Sequence, residues 1–234
     1  MGARAINVLA VDEKKKTMVS HIDIAARRWT EVIVMAIKPI LFSTEMVRAI
    51  LDGRKTQTRR IAFEHDDLRE FKSEAYPEGW WYKGRVFKTF DDFLHYPQSP
   101  RCMYAPGDII WVRETWDCIP ASPGGHFRFS GRYYYKADGD IRPDGWKGNW
   151  KPSIHMQKEA ARIFLHVKDV RLERLQDIND DGVVSEGLEI GDPFDELWDS
   201  TVKKTDLPLY GWNANPWVWV IKFERCEKSE GWCK

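Results

Sequence analysis

The densest chemistry in the chain lies in eight consecutive residues, Gly53-Arg54-Lys55-Thr56-Gln57-Thr58-Arg59-Arg60. Four of the seven residues from 54 to 60 are basic. Cations packed so closely contact phosphates, or simply form a solvated charged face. Far downstream, residues 177–206 hold ten acidic residues against Lys203 and Lys204. The pair suggests an anionic ligand held by the basic segment, with an acid delivered from the acidic one. The whole-chain balance hides this asymmetry, because 36 Lys and Arg offset 36 Asp and Glu. A neutral total argues against a strongly basic nucleic-acid coat and leaves room for a local basic patch.

The elements that must position these residues follow from periodicity. A short apolar strand is expected at 39–42. A helix capped by Ser43 or Thr44 follows, with Met46, Val47, Ile50 and Leu51 on one face. Asp52-Gly53 ends it, so the basic segment begins on a loop or strand start. Ala105-Pro106-Gly107-Asp108 is a turn before a strand at 109–112. Phe127 to Phe129 and Arg132 to Tyr135 flank Ser130-Gly131 as an expected hairpin. A long strand is expected at 161–172, short helices at 178–186 (closed by Gly187) and 194–202, and a closing strand at 216–224. Residues 62–103 and 117–158 are loop-rich and read as two insertions.

Twelve Trp, 11 Phe and 8 Tyr among 234 residues give ample apolar surface for a folded core. The apolar runs 32–37 and 217–221 are far short of a membrane span, which needs roughly 18 residues. No signal peptide is read at the start. Cys102, Cys118, Cys226 and Cys233 form no C-x-x-C pair, so a reducing, cytoplasmic setting is expected. The six His show no metal-ligand spacing, and no P-loop, G-x-S-x-G, H-E-x-x-H or G-x-G-x-x-G motif is present. No metal, cofactor or membrane partner is therefore expected. Met35 reads like a natural start, so either Met35 is the real initiator or residues 1–34 are a loosely attached extension; 35–228 is expected as a single domain and 229–234 as a tail.

The basic segment resembles the G-x-K-x-x-[E/T]-x-R signature of the ASCH-domain family. The resemblance extends in order to Pro106-Gly107-Asp108, the 161–172 strand, the 177–188 helix and the 217–223 strand, about half of the chain after Met35. It is closest to larger phage and prophage members, through Trp111-Val112-Arg113-Glu114-Thr115-Trp116 and Trp150-Lys151-Pro152-Ser153-Ile154-His155-Met156. The resemblance implies an α+β fold: a small PUA-like mixed β-barrel with flanking short helices and two large loop or hairpin insertions. It also implies RNA or a modified pyrimidine nucleoside as the partner. One small ASCH enzyme is an N(4)-acetylcytidine amidohydrolase with a catalytic Lys, Thr and Glu. These carry over to Lys55, Thr58 and Glu186, with Glu189 as the alternative acid. Arg54, Arg59, Arg60, Trp116 and His155 are the expected ligand contacts.

That chemistry has physical requirements. A threonine hydroxyl attacks an amide only once a base takes its proton, and Lys55 is a base only when neutral. Neighbouring Arg54, Arg59 and Arg60, together with partial burial, would lower its pKa. Glu186 would protonate the leaving amine. Residues 55 and 58 share a side in a helical turn but oppose each other in a flat strand, so the mechanism needs a break between them. Three functions stand side by side: RNA or nucleoside binding, amide hydrolysis, and a non-enzymatic phage structural or assembly role. The clusters Trp80-Trp81-Tyr82-Lys83 and Tyr133-Tyr134-Tyr135-Lys136 either stack bases or form core.

Overall fold

The computed structural model describes residues 36–63, 68–119, 132–145 and 148–228. The expected extension 1–34, Met35, Phe127 to Phe129, Ser130-Gly131, Trp146 and the tail lie outside them. The described residues fold into an α+β arrangement with ten strands and short helices. The main sheet has five strands in the order β1-β6-β9-β10-β2. These are β1 (Ile37–Leu41), β6 (Ile109–Arg113), β9 (Phe164–Arg174), β10 (Trp217–Cys226) and β2 (Gln57–Ile61). β1 runs parallel to β6, and the other pairings are antiparallel. The α+β class read from the sequence is therefore present. The ladder is open rather than a closed barrel: β1 and β2 are its two edges among the described residues. Across that seam the side chain of Arg60 donates from Nη2 to Leu41 O at 2.9 Å. A side chain thus spans the gap where a barrel would have backbone pairs.

Strand alternation places Ile110, Val112, Leu165, Val167, Ile221 and Phe223 in one buried cluster with Ile40 and Phe42. A bulge lies opposite Lys222/Phe223, where the register passes from Asp169↔Lys222 to Val167↔Phe223. It switches the inward parity of β9, so that Val170 packs on the same cluster two strand faces later. Helix α1 (Thr44–Leu51) covers this core with Val47 and Ile50. Ser43 caps it as the sequence suggests, accepting from Met46 N. Burying each of these side chains stabilises the fold by about 1.5 to 3 kcal/mol.

The 62–103 stretch is not loop throughout. It forms a three-stranded sheet of β3 (Leu68–Phe71), β4 (Gly79–Tyr82) and β5 (Arg85–Phe87), followed by α2 (Phe90–Leu94). Leu68, Tyr82, Phe87 and Phe93 make its small core, and Trp80 and Phe90 both pack against Trp217 of β10. Trp80 is therefore a packing residue. In the second stretch, β7 (Trp116–Ile119) pairs with β8 (Arg132–Tyr135). After β9 come α3 (Asp180–Ser185), α4 (Phe194–Thr201) and α5 (Leu207–Tyr210). No described helix is long and apolar enough to cross a membrane.

Candidate functional site

The basic segment leaves α1 through Gly53, whose φ of 77° suits glycine. Lys55 then forms an isolated antiparallel bridge with Glu186, the residue that ends α3. Thr56 N donates to Ser185 O at 2.8 Å, and Thr56 O accepts from Phe223 N at 2.8 Å. β2 proper starts only at Gln57. Thr56 thus links the Lys55 bridge to β2, hydrogen-bonded on both sides. Gly187 allows the close approach: its φ is 94°, and a Cβ there would sit 2.8 Å from Ala49 Cβ and 3.0 Å from Lys55 Cβ.

The Lys55 side chain is fully buried, at 0% exposure. Its Nζ donates to Glu186 Oε2 at 2.6 Å and to Glu186 O at 2.9 Å. The other carboxylate oxygen, Oε1, accepts from Arg59 Nη1 at 3.1 Å. Arg59 Nη2 reaches Glu173 Oε1 at 2.6 Å, and Glu173 also takes Arg171 Nε at 3.0 Å. Two cations of the basic segment are thus matched to carboxylates in a buried chain. Burial lowers the Lys55 pKa; the Glu186 charge and hydrogen bond oppose this, and Arg60 and Arg59 add to it. Desolvation, more than the like charges, dominates.

Alternation in β2 sends Arg59 and Arg60 to opposite faces. Arg59 pairs in register with Val220, on the side of Leu175, Phe194 and Trp198, and its guanidinium lies 5.9 Å from the Phe194 ring. Thr58 pairs with Ile221 and Arg60 with Trp219, on the other side. Thr58 is buried there. The Lys55 ammonium reaches the same side, 5.7 Å from the centre of the Phe42 ring, and Arg60 Cζ lies 5.4 Å from that ring. Phe42 therefore stands between the Lys55–Glu186 pair and what lies beyond.

Beyond it is a cleft of about 830 Å³ along the seam between β1 and β2. Phe42, Tyr104 and Trp219 supply aromatic wall, and Arg60, Arg101 and Arg113 supply charge; no carboxylate lines it among the described residues. Leu41, Ile61 and Met103 add exposed apolar surface at 43%, 39% and 66%. Among the described residues Arg60 donates only to carbonyls, Arg59 O at 3.3 Å and Leu41 O at 2.9 Å. Burial lowers its pKa, against the raising influence of Glu186. Arg113 is the register partner of Leu41, donates to Ile154 O, and lies over the Trp111 ring.

The expected site residues divide accordingly. Lys55, Arg59 and Glu186 meet directly, and Arg60 borders the cleft. Arg54 ties the loop down through Gly187 O at 2.7 Å and Asp52 at 3.1 Å. Glu189 is engaged at its backbone N by Asp192 at 2.8 Å. Trp116 is buried in a separate cluster with Trp111, Met156 and Phe164, under the Lys151 ammonium. His155 is exposed on the turn Ser153–His155, next to the cleft-lining Ser153. Sequence reasoning missed Arg101, Arg113, Phe42 and Trp219 as cleft residues. Only the basic character of Arg113 at a strand end hinted at it. No group of three or more His, Cys, Asp or Glu among the described residues is placed to hold a metal ion.

No protein-family model matches the chain, and no curated protein does. Among solved structures, protein EF3133 from Enterococcus faecalis V583, described as DUF984, aligns over 92% of this chain and 95% of its own. The identity is 7% and the TM-score 0.38, too loose to carry structural or functional weight.

Proposed function

We propose that the protein binds RNA or a modified pyrimidine nucleoside in the cleft beside the basic segment. The observation that carries this reading is a cleft lined by three arginines and three aromatic rings, with no carboxylate among the described lining residues. Aromatic faces accept bases, and guanidinium forks accept phosphate or carbonyl oxygens. The Lys55–Glu186–Arg59 chain then serves to lock the segment in place, with the half-buried Arg60 as the contact that borders the cleft. Binding of a short RNA should weaken with salt, and Arg60→Ala should lower the affinity and the salt slope by about one unit. Arg59→Ala, which faces the other way, should cost folding stability instead. RNA affinity unaffected by Arg60→Ala would overturn the assignment.

Amide hydrolysis is supported by a separate observation, the buried Lys55 whose pKa is pulled down within 2.6 Å of Glu186. In this arrangement Lys55 is sealed behind Phe42, so turnover would require that ring to move. The reading predicts acetate release from N(4)-acetylcytidine, abolished by Lys55→Ala or Thr58→Ala. No release at high enzyme concentration would remove it.

A further inference from the structure

The cations around the sheet edge fall into two sets. Lys55 and Arg59 are each matched to a buried or half-buried carboxylate. Arg60, Arg101 and Arg113 are matched to none among the described residues, and all three line the same cleft. Arg101 makes no hydrogen bond or ion pair with any described residue. Arg60 and Arg113 both flank β1: the Arg60 guanidinium holds Leu41 O, while the Arg113 backbone pairs with Leu41 in register and its guanidinium holds Ile154 O. Phe42 N in turn donates to Arg113 O at 3.2 Å. On the half-buried Arg60 and Arg113, charges left without a counter-charge are costly unless a ligand supplies one; the exposed Arg101 adds a solvated cation at the rim. Arg60 is already fixed by two carbonyls, so little ordering remains for binding to cost.

Resting on the binding reading above, we propose that the cleft holds its ligand by a terminal phosphate. The occupant is then a nucleotide, or the phosphorylated end of a nucleic acid, rather than a neutral nucleoside. A phosphomonoester carries about −1.5 to −2 charge and three acceptor oxygens at neutral pH. That matches several guanidinium forks better than an internal diester with one charge does. The cleft volume of about 830 Å³ suits a ligand of mononucleotide size. Phe42, Tyr104 and Trp219 offer the base an aromatic wall.

The test is calorimetric titration of the full chain with CMP, with cytidine, and with a short oligocytidylate carrying either a 5′-phosphate or a 5′-hydroxyl. CMP should bind at least about tenfold tighter than cytidine, the size of one or more charge-assisted hydrogen bonds. The preference should shrink in Arg101→Ala, where an exposed side chain without partners among the described residues is removed and the melting temperature should be unchanged. A preference among the oligomers for the 5′-phosphate identifies a nucleic-acid end as the source; a preference seen with CMP alone identifies a free nucleotide. Equal binding of phosphorylated and unphosphorylated ligands overturns the phosphate inference and leaves the binding reading standing. A phosphate preference that survives unchanged in both Arg101→Ala and Arg113→Ala overturns the assignment to this cleft. Binding of none of the four ligands overturns both readings.

Discussion

Replacing Glu186 by Ala would remove one carboxylate that serves two buried cations. Arg59 would keep Glu173 at 2.6 Å, but Lys55 would keep only the carbonyl of residue 186. Breaking a buried ion pair from one side costs about 3 to 5 kcal/mol. For a domain of this size that is a fall in Tm of about 6 to 20 °C, at about 2 to 4 °C per kcal/mol. The loss should depend on pH, with a definite sign. In the native protein the Lys55 pKa already lies below its ordinary 10.5, so the unfolded chain binds more protons between the two values and stability rises with pH there. Without Glu186 the native pKa falls further, because the attraction that opposed burial is gone. The deficit relative to wild type is therefore full below both native pKa values and shrinks as pH rises from the variant's value to the wild-type value, both of which lie below 10.5. Urea unfolding of both proteins across the pH range up to 10.5 reads this directly. A deficit below about 0.5 kcal/mol at its greatest, the size of a surface change, or one that has not narrowed by pH 10.5, would refute the account of a buried charged pair.

Three further outcomes are expected. Gly187→Ala should destabilise the fold by about 1 to 3 kcal/mol in urea unfolding, because φ is 94° and the new Cβ would meet Ala49 and Lys55. Leu165→Ala, at a fully buried position of β9, should cost about 2 to 5 kcal/mol in the same assay. Glu114 is buried against Arg162, and burial raises its pKa above the ordinary 4.5 despite that partner. Its native form holds the proton longer than the unfolded chain, so stability should fall as pH rises from 4.5 through the raised value, and Glu114→Gln should flatten that part of the profile.

Much of the site's local grammar is legible in the chain itself. Ser43 as cap, the apolar face of α1, the left-handed Gly53 and the basic run beside it follow from residue type and spacing. The strand at 109–112 follows from the turn before an apolar run, and those expected at 161–172 and 216–224 follow from alternation, realised as Phe164–Arg174 and Trp217–Cys226. The insertions were less legible. Trp80 and Tyr82 carry the same aromatic and basic neighbours whether they stack on bases or on Phe90 and Phe93, and only packing separates the two. The pairing of Trp116–Ile119 with Arg132–Tyr135 is likewise a long-range choice that no turn signal encodes.

What the sequence by itself determined is the inventory: a neutral, folded α+β chain with one concentrated basic segment and one acidic stretch. What only the tertiary structure decided is how that charge is used. Alternation along β2 turns Arg59 and Arg60 to opposite faces, and α3 delivers Glu186 to one face. Lys55 and Arg59 are thereby neutralised inside, while Arg60 meets Arg101 and Arg113 from distant parts of the chain at an open seam. The reason is that carboxylate matching depends on distance in space, and Glu186 lies 131 residues from Lys55 along the chain but 2.6 Å from it in the fold.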